Sequence, residues 1–187
     1  MISDDLDLAV ERLRHGGVVA IPTETVYGLA ADAGNRAAVA RIFEIKGRPT
    51  DHPLIVHLAS ADQLPDWAAD VSDAAAKLAT TCWPGPLTML VPRHPDVDND
   101  VTGCLRTSGV RVPSHPLAQS LLTRFGSGLA APSANRFGKV SPTTAQHVLD
   151  DLGPFLDPAR DLILDGGASE VGVESTIVDL TVDPPQV

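Results

Sequence analysis

Val18-Val19-Ala20-Ile21-Pro22-Thr23-Glu24-Thr25-Val26-Tyr27-Gly28-Leu29 begins as a buried strand and turns abruptly polar. Val18, Val19 and Ile21 are β-branched and favour extended backbone. Pro22 lacks the amide that a strand ladder needs, so the run stops there. Two hydroxyls, a carboxylate and a phenol then follow before Gly28. Two readings stand for this polar stretch: a structural turn at a sheet edge, or part of a site.

Outward from that stretch, strands and helices alternate. Leu6, Ala9, Val10 and Leu13 have helical spacing, and Gly16-Gly17 ends the helix. Asn35 can cap a helix whose apolar face is Ala38, Val39, Ile42 and Phe43, with Gly47 as its stop. Further helices are predicted from Ser72 through Leu78 to Cys82 and from Leu117 to Phe125, ended by Gly126. A last one is predicted to start at Ser141-Pro142 and to bury Ala145, Val148, Leu149 and Leu152. Strands are predicted at Leu54–Leu58, Leu87–Val91, Gly109–Val112, Gly128–Ala131, Leu162–Leu164 and Thr176–Leu180. This alternation predicts an α/β protein with a mostly parallel or mixed sheet. Ligands in such sheets sit at strand ends, here before Pro22, Pro113 and Pro132.

The chain has 187 residues, 43 % apolar and 20 % charged, which fits a single domain over residues 1–187 with a buried core. No apolar run approaches the ~18 residues of a membrane span, and no membrane association is expected. Asp4, Asp5 and Asp7 replace the basic start of a secretion signal. Two cysteines, Cys82 and Cys104, are too few for a disulfide scaffold or a protein-only zinc cage, and they fit a reducing cytoplasm. The net charge of −10 argues against a nucleic-acid-coating protein. Yet Val101 to Leu149 contains no acid, and holds Arg106, Arg111, Arg124, Arg136 and Lys139. That asymmetry reads either as a pocket for a small anion or as chance and solvated helix faces.

Other stretches carry chemistry as well. Lys46-Gly47-Arg48-Pro49 puts two cations at a helix C-terminus, where they complement its dipole. Because Gly47 and Pro49 end the helix, they are also expected to project from a loop, and a Lys–Arg pairing suits phosphates. His57 lies in an apolar strand, where histidines commonly serve packing. Arg111, between Val110 and Val112, either faces solvent or meets an anionic ligand such as a carboxylate. Ala130-Ala131-Pro132-Ser133-Ala134-Asn135 offers small residues for close backbone approach, with a hydroxyl and an amide. Gly172-Val173-Glu174-Ser175-Thr176 is a glycine-bearing turn before a strand. No glycine-rich phosphate loop, dinucleotide fingerprint, zinc-like histidine spacing or nucleophile elbow occurs. A phosphate cradle must therefore be assembled from distant segments.

Taken in order, Pro22–Leu29, Lys46–Pro49 with Pro53–His57, Pro84–Thr88, Val110–Pro113, Pro132–Asn135 and Glu174–Asp179 resemble the YrdC/Sua5 family, the threonylcarbamoyl-AMP synthases. The likeness runs over about residues 6–182. It implies a YrdC-like twisted, open, mixed sheet flanked by helices, with a large concave, positively charged cavity. It implies a nucleotidyltransferase that joins L-threonine, bicarbonate and ATP into L-threonylcarbamoyl-adenylate and pyrophosphate. The product would supply the tRNA threonylcarbamoyl-transfer machinery, with weak or no direct tRNA binding by this chain. Mg²⁺ is expected with ATP, without a dedicated protein metal site.

The resemblance also assigns residues. Lys46, Arg48, Ser133 and Asn135 fall at the family's catalytic polar quartet around the phosphates. Thr107 and Ser141 fall at ATP contacts, and so does His52, which stands where many relatives have asparagine. Thr25, His57, Arg111, Ala131 and Ser175 fall where the family holds threonine, Ala131 through its backbone. His57 is a candidate general base. Relatives continue past the last strand with an arginine-containing segment over the nucleotide. Closure over ATP is thus expected to be built differently here, or to lie beyond this stretch. Two alternatives are a carbamoyl-transfer enzyme of the same fold and a non-enzymatic RNA-binding module.

Overall fold

The computed structural model describes all 187 residues. In chain order the elements are β1 (Ile2–Ser3), α1 (Leu6–Arg14), β2 (Val19–Ile21), β3 (Gly28–Asp32), α2 (Arg36–Lys46), β4 (Ile55–His57) and α3 (Asp73–Cys82). There follow β5 (Leu87–Pro92), α4 (Asn99–Thr102), β6 (Thr107–Arg111), α5 (Pro116–Phe125), β7 (Leu129–Ala130), α6 (Ala145–Leu152), β8 (Leu162–Leu164) and β9 (Thr176–Asp179). The nine strands form one sheet in the order β1-β8-β2-β3-β7-β4-β6-β5-β9. Pairs β1–β8, β8–β2, β4–β6 and β5–β9 are parallel, and the other four are antiparallel, so the sheet is mixed.

Alternation along the strands divides the core. On β2 and the residue before it, Val18 and Ala20 face one apolar cluster while Val19 and Ile21 face the other. The smaller cluster receives Ala9, Val10 and Leu13 of α1 and Leu121 and Leu122 of α5. The larger receives Ala38, Val39 and Ile42 of α2 and Val148 and Leu152 of α6. Each fully buried Leu or Ile contributes roughly 1.5–3 kcal/mol, so opposed helices on both faces hold the sheet.

Most expected elements are present, with local corrections. Asn35 Oδ1 caps α2 by accepting from the amides of Ala37 and Ala38, and Gly47 closes it with φ of 60°. A side chain on Gly47 would strike the Arg136 guanidinium, 2.6 Å from the Cβ position. Strands β1 and β3 have no counterpart in the sequence reading; β3, Gly-Leu-Ala-Ala-Asp, lacks both alternation and β-branching. The last helix starts at Ala145 instead of Ser141-Pro142, and Thr144 is its cap. The reason is local: Pro142 O accepts the Tyr27 amide, and Ser141 Oγ bonds the Glu174 carboxylate. Both residues are thereby held away from a helical turn. Both cysteines are free thiols, and no helix is long and apolar enough to cross a membrane.

The polar stretch after Ile21 is a hairpin connection, since β2 and β3 pair antiparallel with Ile21 opposite Gly28. It does not lie at the surface: every residue from Pro22 to Tyr27 is buried. A buried loop needs partners for its backbone. Thr23 Oγ1 accepts from the amides of Thr25 and Val26, both at 3.2 Å. The Glu24 and Thr25 carbonyls accept from Val171 and Gly172, and the Tyr27 carbonyl accepts from Ala134.

Candidate active site

Five segments converge on one narrow cleft of about 40 Å³. Thr23, Thr25 and Val26 come from the buried hairpin loop, and Ile55 and His57 from β4. Arg111 ends β6, Ala131, Pro132 and Ser133 follow β7, and Glu174 and Ser175 precede β9. Parallel pairing puts His57 directly beside Arg111. A larger cavity, about 370 Å³, lies elsewhere between Gln63, Trp67, Asp98 and Gly128, and contains none of the residues assigned above.

Arg111 is 4 % exposed. Its Nε donates to Gly85 O at 3.2 Å and its Nη1 to Thr25 Oγ1 at 2.9 Å. Its Nη2 lies 2.7 Å from Glu24 Oε1. That contact is an ion pair out of hydrogen-bonding line, so both atoms keep an unfilled bonding direction. Glu24 Oε2 accepts from the Ser114 amide at 3.1 Å. The counter-ion of Arg111 is thus inside the chain. Glu24 was not named as its partner from the sequence.

His57 is 3 % exposed, and its Nδ1 has no partner. Burial, reinforced by the Arg111 charge, lowers its pKa to about 3. At that value the ring is neutral and only weakly basic. It remains a hydrogen-bonding wall of the cleft. Ser175 Oγ lies 2.8 Å from Thr88 Oγ1, and Thr88 is fully buried on β5. The Ala131 amide donates to Ile55 O at 2.9 Å.

The residues assigned to phosphate lie beside this cleft. Lys46 does not project from a loop as expected; it is the last residue of α2 and 1 % exposed. Its ammonium donates to the carbonyls of Ser133 and Asn135, the latter at 2.7 Å, and so braces the Ser133–Asn135 turn. Burial first, then the Arg48 charge, lowers its pKa to about 8. Asn135 donates from Nδ2 to the carbonyls of Arg136 and Lys139, both at 2.8 Å, while its buried Oδ1 is unpartnered. Arg48 donates to Pro53 O at 3.0 Å and lies 5.8 Å from the Phe137 ring centroid. His52 meets the same ring edge-on at 5.3 Å. Thr107 begins β6, two residues before Gly109, which pairs with Ile55. Arg48, His52 and Thr107 therefore gather toward the starts of β4 and β6, with His57 and Arg111 at their ends. Ser141 donates to the carboxylate of Glu174, which lines the cleft.

The acid-free stretch does not form one patch. Of its five cations, Arg111 alone lines the cleft. Arg124 pairs with Asp7 on α1, and Arg136 donates to Ile45 O and covers the Phe155 ring. No group of three or more metal-ligating side chains exists.

Fold and site together describe a mixed α/β domain with a narrow polar cleft beside a lysine–arginine shelf. The chain belongs to the Sua5/YciO/YrdC family, whose model, described as telomere recombination, matches residues 11–187. Threonylcarbamoyl-AMP synthase of Pyrococcus abyssi is 48 % identical over 178 residues, covering 95 % of this chain and 51 % of that protein. The Bacillus subtilis protein of the same name is also 48 % identical over 178 residues, covering 95 % and 50 %. A solved structure of P. abyssi Sua5 complexed with L-threonine superposes with a TM-score of 0.91 at 47 % identity, covering 96 % of this chain and 52 % of that one. The chain thus spans about half the length of these relatives.

Proposed function

We propose that this domain forms L-threonylcarbamoyl-adenylate and pyrophosphate from L-threonine, bicarbonate and ATP, in a reducing cytoplasm, as a nucleotidyltransferase. Its product would pass to the machinery that modifies tRNA, which this acidic chain need not grip itself. The observation that carries the reading is the cleft itself, with Arg111, Thr25, His57 and Ser175 converging beside Lys46 and Arg48.

In this reading Arg111 turns its unfilled Nη2 direction toward the threonine carboxylate, a planar match for a guanidinium. The hydroxyls of Thr25 and Ser175 and the neutral His57 ring read the substrate's polar groups, while Val26, Ile55 and Ala131 face its methyl group. A site whose polar groups are built to pair rejects analogues that leave them unpaired. The substrate amine, its ammonium proton lost to solvent, adds carbon dioxide with loss of a second proton or adds bicarbonate with loss of water, and the resulting carboxylate attacks the α-phosphorus as pyrophosphate leaves. No protein nucleophile is required. Lys46 and Arg48 hold positive charge where the phosphates gain negative charge, and Ser133 and Asn135 orient them, with Thr107, Ser141 and His52 at the nucleotide. Mg²⁺ would arrive as the ATP chelate. Glu174, the one acid lining the cleft, is the carboxylate available to it.

Pyrophosphate release tests the reading directly. Release that needs ATP, threonine and bicarbonate together is expected, and threonine-independent release would refute it. The carbamoyl-transfer and RNA-binding alternatives predict turnover with carbamoyl phosphate, or salt-sensitive tRNA binding without turnover.

A further inference from the structure

The larger cavity, between Gln63, Trp67, Asp98 and Gly128, has a lining of one sign. Asp66, Asp96 and Asp98 face it, and no lysine, arginine or histidine does. It also holds an unused donor. Trp83 donates its indole N–H to Leu87 O at 2.7 Å, whereas the indole N–H of Trp67, a residue 9 % exposed, bonds nothing in the chain. The indole edge beside that nitrogen lies against Gly128, where a Cβ would stand 2.8 Å from Cε2, so the N–H opens on the cavity that both residues line. A largely buried donor without a partner calls for an acceptor. The carboxylates call for a cation. The three aspartates do not converge closely enough to hold a metal ion. Asp98 is also engaged already, by the Asp100 amide and by Arg36 Nε, 3.2 Å from its Oδ2. Asp66 and Asp96 remain, the latter with only His94 nearby at 3.8 Å. A planar guanidinium, with five donors spread over a fork, spans separated carboxylates that a compact ion cannot.

We propose that this cavity is a binding site of its own, which takes an arginine side chain of a protein partner, with the guanidinium toward Asp66 and Asp96 and a neighbouring peptide carbonyl on the Trp67 indole N–H. Its volume of about 370 Å³ falls within the roughly 300–1,000 Å³ of small-ligand sites. Peptide linkage matters here. A free amino acid would bring a carboxylate among three aspartates, where it is repelled, but a peptide carbonyl is a neutral acceptor. The net charge of −10 favours the approach of a basic partner. The site is separate from the cleft. The cleft takes Gly28 at the start of β3 and the cavity takes Ala33 just past its end, roughly 16 Å away at about 3.3 Å per residue. The inference therefore stands whatever the cleft binds.

Trp67 and Trp83 are the only tryptophans, so an amide-correlation NMR spectrum carries two indole N–H signals, one of them a built-in control. The probe is N-acetyl-L-arginine N-methylamide, titrated into the whole chain. The Trp67 signal is expected to move and to saturate in the millimolar range while the Trp83 signal stays in place. Asp66→Asn combined with Asp96→Asn should weaken binding about tenfold, the joint worth of two exposed ion pairs. Both positions are exposed, and an unchanged Trp83 signal shows that the variant keeps its fold. Raised salt should weaken binding to the wild-type chain. No saturable movement at Trp67, equal movement of both indoles, or wild-type affinity in the double variant would overturn the proposal. Free L-arginine binding as tightly as the probe would overturn the peptide-linked assignment. Tighter binding of the matching lysine compound would overturn the choice of a guanidinium.

Discussion

Glu24→Gln removes one negative charge from beside Arg111 while keeping the side chain's size. The amide oxygen of glutamine can still accept from the Ser114 amide, so the anchor at 3.1 Å is preserved. What is lost is the counter-ion 2.7 Å from Arg111 Nη2, in a pair whose side chains are 4 % and 6 % exposed. Breaking a buried ion pair by removing one partner costs about 3–5 kcal/mol, because the remaining charge stays buried without compensation. Arg111 cannot shed its proton to escape that cost. For a chain of this size a loss of 1 kcal/mol lowers Tm by about 2–4 °C, so a fall of about 6–20 °C is expected. Urea denaturation followed by far-UV circular dichroism measures the loss directly. The double variant Glu24→Gln with Arg111→Met should recover part of the stability, because the orphaned charge is gone. A single-variant loss under about 1 kcal/mol, or a double variant worse than both singles added, would refute the assignment of Glu24 as the counter-ion.

Three further outcomes follow from the same geometry. Lys46 has its pKa lowered to about 8, so its charge fades as pH rises through that value; ATP affinity of the wild-type chain should fall above pH 8 and stay flat in Lys46→Arg, measured by titration across pH. Fold stability has the opposite slope from this group, rising with pH between about 8 and the unfolded value near 10.4, where the unfolded chain binds the extra proton. His57, held neutral with a pKa of about 3 against about 6.5 unfolded, makes stability fall as pH drops below about 6.5; His57→Gln should flatten that acid limb in denaturation curves between pH 4 and 7. Arg111→Ala should weaken threonine binding far more than ATP binding, and equal losses by titration would remove Arg111 from the threonine cleft.

The parts of the fold written in periodicity and capping were legible. The Asn35 cap, the Gly47 and Gly126 stops and the α1 and α5 stripes depend on neighbours a few residues away, and sequence order displays those. Strand β3 was hidden because Gly28, Leu29, Ala30, Ala31 and Asp32 become a strand through burial between β2 and β7, with little intrinsic preference. The start of α6 was misplaced because Ser141 and Pro142 answer to Glu174 and Tyr27, both remote in sequence. In the site, a resemblance spread over ordered motifs named Thr25, His57, Arg111, Ser133 and Ser175, and these share one cleft. Glu24, Thr23 and Thr88 were missed as partners because each acts on another side chain across the fold. For Glu24 one signal was present: an arginine flanked by apolar strand residues implies a carboxylate, and an acid stood in the other apolar-framed motif.

The buried connection between β2 and β3 has a kinetic meaning. Its backbone is stitched to Ala134, Pro142, Val171 and Gly172, so the wall that carries Thr25 is completed by residues more than a hundred positions downstream. A wall closed by such distant contacts forms late in folding and has no independent local opening. The amides of Tyr27, Val171 and Gly172 should exchange with solvent together, at the pace of the sheet's own unfolding. A ligand entering that cleft acts on the whole domain, and its free energy of binding should register as protection spread across the sheet instead of a quieted loop.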